Sequence, residues 1–65
     1  MKFIDTEGRK IETRSGEDFV TTDDFPCVEL RIDGKIIECL AMMQYSPENV
    51  AAVERCMFEE YEISF

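Results

Sequence analysis

A chain of 65 residues, 45% of them apolar, makes one small domain; it buries only about 60% of the surface its unfolded form exposes and leaves little volume for the ~300–1,000 Å³ pocket of an ordinary enzyme. Fifteen acidic residues against seven basic ones give a net charge of −8, a field that repels nucleic acid and anionic membranes and attracts basic protein surfaces. The absence of histidine removes the commonest general base and the commonest transition-metal ligand.

Residues 1–14 read as a β-hairpin. Gly8 suits the left-handed position of a three-residue loop, Thr6-Glu7-Gly8, and that loop sets Phe3 opposite Ile11. The segment carries four basic and three acidic residues, a net of +1, whereas residues 15–65 carry three basic and twelve acidic, a net of −9. Residues 15–26, SGEDFVTTDDFP, form an acidic connection holding Glu17, Asp18, Asp23 and Asp24. Its FVTT stretch (19–22) can add a short edge strand, and Phe19 and Phe25 are expected to dock on the core and anchor their carboxylate neighbours.

Residues 27–44 read as a second hairpin. Asp33-Gly34 is the preferred dipeptide of a two-residue type I′ turn, since both positions need positive φ. Strict pairing about that turn sets Ile32 opposite Lys35, Leu30 opposite Ile37 and Val28 opposite Cys39, with Ala41 and Met43 continuing the same apolar face. The opposite face then holds Glu29, Arg31, Ile36, Glu38, Leu40 and Met42, with Glu29 and Glu38 directly opposed. GRKIET (8–13) and GKIIEC (34–39) resemble each other, as two hairpins with similar turn logic do.

Residues 46–61 read as a helix. Ser46 serves as N-cap, Pro47 takes the first helical position, and Glu48 complements the dipole. Val50, Val53, Met57 and Tyr61 form the inward stripe, Glu48, Glu59 and Glu62 project outward, and Phe58 lies to one side of the stripe. The fold class is therefore α+β: an antiparallel sheet of two hairpins with one C-terminal helix on its core face, in a single domain spanning 1–65.

Little chemistry can be built from these residues. Cys27, Cys39 and Cys56 lack the close spacing of a zinc clip, and Cys39 is expected in the core as a small hydrophobe. The two acidic pairs of the connection do not alternate as calcium ligands do and enclose no glycine. No metal, cofactor or catalytic residue is expected, and the chain reads as a non-enzyme. No signal-peptide pattern is visible and the longest apolar run, CLAMM, is five residues, so a cytoplasmic protein with reduced thiols and no membrane contact is expected.

What remains is binding to protein. The expected partner-binding residues are Glu17, Asp18, Asp23, Asp24, Glu29, Glu38, Glu59 and Glu62, facing a basic protein or nucleoprotein complex that binds nucleic acid; direct nucleic-acid binding is not expected. In size, acidic excess and hairpin–hairpin–helix plan, the chain resembles the small acidic phage-encoded inhibitors of bacterial defence, the anti-CRISPR and anti-restriction DNA mimics. The resemblance implies an inhibitor in the host cytoplasm that occupies a basic groove, as a monomer or small homo-oligomer. The alternative is a structural or adaptor subunit that assembles through Phe25, Leu40, Met42 and Phe58, with the charge serving solubility alone.

Overall fold

The computed structural model describes residues 1–65. Four strands, β1 (Lys2–Ile4), β2 (Lys10–Arg14), β3 (Cys27–Ile32) and β4 (Lys35–Ala41), form one antiparallel sheet in the order β1-β2-β3-β4, followed by one helix, α1 (Pro47–Glu60). The α+β arrangement expected from the sequence is the one observed. The acidic connection contributes no strand; its edge-strand candidate reduces to a single bridge between Val20 and Pro26.

Both hairpin turns follow from backbone chemistry. Gly8 adopts φ 81° in the loop that sets Phe3 opposite Ile11. Asp33 and Gly34 adopt φ 51° and 84°, the pair of left-handed conformations that a type I′ turn requires. Asp33 also joins the hairpins: its Oδ1 accepts the Lys10 N–H at 2.9 Å, and its own N–H donates to the Lys10 carbonyl at 2.8 Å. At the helix start, Ser46 Oγ accepts the Asn49 N–H at 3.0 Å, with Pro47 in the first turn.

The β3–β4 register departs from strict pairing. Ile32 faces Lys35 and Arg31 faces Ile36 as the turn dictates, but Leu30 then faces Glu38, Glu29 faces Cys39 and Val28 faces Leu40. Ile37 is the extra residue of a β-bulge, and everything beyond it changes face. Leu40 and Met42 therefore lie under the helix, Cys39 is exposed rather than buried, and Met43 is 86% exposed. Glu29 and Glu38 sit on opposite faces instead of opposing one another. The physical reason is packing: strict pairing would spend the core face on Cys39 and Ala41, whereas the bulge delivers the larger Leu40 and Met42 to it.

The core comprises Ile11, Val28, Leu30, Met42, Met57, Phe58 and Ile63, with Phe3, Leu40, Val50, Val53 and Tyr61 packed around it. Phe58 is thus interior, and its ring meets Phe3 edge-on at 5.7 Å. The opposite, open face of the sheet carries Lys2, Lys10, Glu12, Arg14, Glu29 and Arg31. Cys27 also lies on that side, buried beneath Phe19 of the connection, whose carbonyl accepts the Cys27 N–H at 3.2 Å.

Two measurements check the bulge. Met42→Ala should cost about 2–4 kcal/mol in urea unfolding while Met43→Ala stays within about 0.5 kcal/mol, the reverse of what strict pairing demands. Burial, aided by the adjacent Cys39 thiol and by Glu29, pushes the Cys27 thiol up to about 11. Maleimide on the native protein should accordingly label Cys39 and Cys56 and spare Cys27, as read by mass spectrometry.

Candidate functional site

The acidic connection is ordered. Phe19 anchors it beneath the Arg14 guanidinium, 5.3 Å from the ring centroid, and a tight turn closes it, with Thr21 N–H donating to the Phe25 carbonyl at 2.8 Å and Asp24 N–H to the Thr21 carbonyl at 3.0 Å. Asp24 takes φ 65°, a conformation aspartate tolerates better than most residues. Phe25 is 41% exposed, so the second anchor expected from the sequence is not one. Glu17, Asp18, Asp23 and Asp24 are all exposed.

The other expected residues fall into separate settings. Glu29 is only 9% exposed; its Oε1 accepts the Arg31 Nε–H at 2.7 Å and lies 3.8 Å from Arg14 Nη1. The hydrogen bond from Arg31 to Glu29, with the attraction of that carboxylate, strengthens the Arg31 cation. Glu29 is therefore enclosed by charge within its own sheet. Glu38, carried onto the helix side by the bulge, meets Glu60 and Tyr61, and its Oε2 is buried without a hydrogen-bond partner. Its contact with Glu60, then burial, then Glu60's charge raise its carboxyl above the ordinary glutamate value, although a hydrogen bond from Tyr61 opposes them. Burial and the two carboxylates raise Tyr61 in turn.

Glu59 and Glu62 lie exposed on the other side of the helix end. They border a groove of about 650 Å³ between the flank of α1 and the chain's two ends. Ala51 and Phe58 form its helical wall, Ile63 and Phe65 its far wall, and Met1 closes one end; Glu54 and Arg55 complete the rim. Glu54 is held there by the Thr13 hydroxyl, which donates to its Oε2 at 2.6 Å. Its place one turn after Val50, inside the apolar stripe, already marks it as a sheet-facing carboxylate.

The far wall exists because the chain turns back after the helix. Glu62 adopts φ 55°, Ile63 N–H donates to the Phe58 carbonyl at 2.8 Å, and Thr6 N–H donates to the Ser64 carbonyl at 3.1 Å. Arg9 holds this turn. Its Nη2 donates to the Glu62 carbonyl at 3.1 Å and both Nη atoms approach the Tyr61 carbonyl at 3.4 Å, while its Nε donates to Asp5 Oδ2 at 2.7 Å. The Asp5 side chain is fully buried and also accepts the N–H groups of Glu7 and Arg9. Burial alone would raise the Asp5 carboxyl, but the bonds from Arg9 and Glu7 outweigh it and hold it below the usual range. Its contribution to stability is complete above the unfolded-state aspartate value and lost as the pH falls through the lower folded-state value.

Eight carboxylates expected to act together are thus divided. Four stand on the connection, which closes over the open face of the sheet; Glu59 and Glu62 share the groove on the helix side with Glu54; Glu29 and Glu38 are occupied elsewhere. Comparison with known protein families, with characterised proteins and with solved structures finds no match for this chain. No helix is long and apolar enough to cross a membrane.

Glu38 has a pH signature. Its carboxyl binds a proton more readily in the folded than in the unfolded chain, so its unfavourable contact appears as the pH rises through the folded value. Glu38→Gln should therefore stabilise the domain at pH 8, with the difference shrinking on acidification and vanishing below about pH 4, where glutamate is protonated in both states. Thermal unfolding across this range checks it; a variant less stable than the wild type at pH 8 would contradict the Glu38–Glu60 repulsion.

Proposed function

We propose that this domain is a non-catalytic, protein-binding inhibitor that presents carboxylates to a basic, nucleic-acid-binding surface of its partner, in the manner of a DNA mimic. One observation carries the proposal: of fifteen carboxylates, only Asp5, Glu7 and Glu29 take part in ion pairs, leaving twelve outside any ion pair, those of the connection and the helix end among them. Uncompensated surface charge of one sign steers a basic partner and raises the association rate. The connection and the helix end both contribute, from different sides, so the negative field surrounds much of the molecule while any single contact uses one part of it. The work is proposed to take place in the cytoplasm, where the three unpaired thiols persist.

A second reading is assembly through apolar contact. Leu40, Met42 and Phe58 no longer support it, being packed into the core, but Ile36, Ile37 and Met43 stand exposed on and just beyond the edge strand β4. The bulge at Ile37 interrupts that edge, a device that discourages strand-to-strand pairing.

Capture of partners from a cell extract separates the two. A charge-driven inhibitor should release its partner on raising the salt and on adding duplex DNA. Reversing Glu17, Asp18, Asp23 and Asp24 together to lysine should slow association about tenfold or more without unfolding the domain. Capture indifferent to salt and DNA, together with self-association in sedimentation that survives high salt, would overturn the inhibitor and favour assembly.

A further inference from the structure

The groove between α1 and the returning C-terminal residues has a composition that selects its occupant. Phe65 is 77% exposed and Met1 55%, an unusual outlay of large apolar side chains on so small a domain. They are not loosely displayed. Phe65 stacks on Phe3 at 4.6 Å and meets Phe58 edge-on at 5.6 Å, while the N-terminal ammonium at Met1 donates to the Thr13 carbonyl at 3.2 Å. The walls are therefore built before anything binds, which lowers the ordering cost of association. At about 650 Å³ the space is large enough for a bulky side chain and its neighbours.

The rim adds a sign. Glu54, Glu59 and Glu62 surround the apolar walls; Arg55 is the one basic side chain there and forms no ion pair, and the Met1 ammonium is turned to the Thr13 carbonyl. Glu59 lies in the last turn of α1, which has no basic residue of its own, and Glu62 lies just beyond. Arg9 already answers the carbonyls at that end, but Glu59 and Glu62 have no ion-pair partner, and like carboxylates at the negative end of a helix repel one another. A cation delivered by a partner relieves that repulsion, whereas an anionic or purely apolar occupant does not.

We propose that this groove docks a basic amphipathic segment of the partner protein, seating one bulky apolar side chain between Met1 and Phe65 and setting flanking Lys or Arg side chains against Glu59 and Glu62. The inference rests on the proposed binding to a basic surface and supplies it with a location and a specificity. Long-range charge brings the partner in; the apolar contact distinguishes a matching segment from any other basic one.

The chain contains no tryptophan, so a short lysine-rich peptide carrying one tryptophan reports its own burial by fluorescence. At physiological salt that peptide should blue-shift on binding and bind about tenfold more tightly than an all-lysine peptide of equal charge. Ala51→Arg, which obstructs the helical wall and adds a like charge, should weaken it about tenfold, as should Phe65→Ser; Arg55→Ala should tighten it. Circular dichroism establishes that each variant is folded, and amide shifts in the NMR spectrum should cluster at Ala51, Glu59 and Ile63. Lysine substitutions at Glu17, Asp18, Asp23 and Asp24 should leave tryptophan-peptide affinity within about twofold once salt screens their distant field. If both peptides bind equally and only the connection variant weakens them, the groove is overturned while the acidic-surface reading stands. If neither peptide binds even at low salt, both fall.

Discussion

The structure turns on the bridge from Asp5 through Arg9 to the end of the helix. A fully buried carboxylate fixes Arg9 Nε, and the opposite edge of the same guanidinium reaches the Tyr61 and Glu62 carbonyls, fifty-two and fifty-three residues away. Helix ends leave carbonyls unpaired and carry negative partial charge, and α1 has no basic side chain of its own in its last turn. Arg9 answers both needs from the first hairpin. It also locks the turn of the chain at Glu62, so Ile63 enters the core and Phe65 comes to rest on Phe3. The bridge adds a charged tether to the far wall of the groove, which is otherwise held by backbone bonds at Glu62, Ile63 and Ser64, by burial of Ile63 and by the contacts of Phe65 with Phe3 and Phe58.

The hairpins, their turns and the helix could be read from the chain because each rests on local chemistry. Asp33-Gly34 needs only its own φ preferences, Ser46-Pro47 needs only the first helical turn, and Gly8 needs only a three-residue loop. The register beyond Arg31 could not be read that way. Turn chemistry determines the pairs next to the turn, but whether the strand continues in step depends on which side chains fill the space under the helix. Leu40 and Met42 fill it better than Cys39 and Ala41, and a bulge at Ile37 is the cost of the exchange. Glu38 crosses to the helix side as a consequence, which left its meeting with Glu60 invisible in the sequence. The Asp5–Arg9 bridge was hidden for a related reason: an aspartate and an arginine flanking a tight loop look like ordinary surface charges until the helix end is placed above them. Phe25 shows the converse error, an aromatic residue assigned to the core by type alone although the turn that holds it points outward.

The division of charge along the chain does not carry over into space. The sequence splits into a mildly basic first segment and a strongly acidic remainder, but strand pairing gathers Lys2, Lys10, Arg14 and Arg31 on the open face of the sheet, where Glu12 and Glu29 interleave with them. Arg31 comes from the acidic remainder and joins this set only through β2–β3 pairing. The result is a domain with a self-compensated sheet face and uncompensated carboxylates at the connection and the helix end. For the proposed inhibitor this matters more than the total of −8, because a partner's basic surface is oriented by the gradient as much as drawn by the sum.

Departures from local optimality gather at the end of α1. Glu59, Glu60 and Glu62 stand at the negative pole of the helix, Glu38 presses a buried oxygen without a partner against Glu60, and Met1 and Phe65 are left in water nearby. Elsewhere the charges and caps follow the rules, with the hairpin turns taking the residues they require, the helix start capped and Glu29 enclosed by two arginines, although Ile36, Ile37 and Met43 also stand exposed near β4. A domain this small has little stability to spare, so unfavourable charge and exposed apolar surface persist most readily where something other than folding uses them. The two Glu38–Glu60 carboxylates face the β4 side and the Glu59–Glu62 pair faces the groove, so a cation bound in the groove meets a helix end already crowded with negative charge from both flanks. That crowding gives the groove its sign, and the Arg9 bridge keeps the crowded end from unravelling.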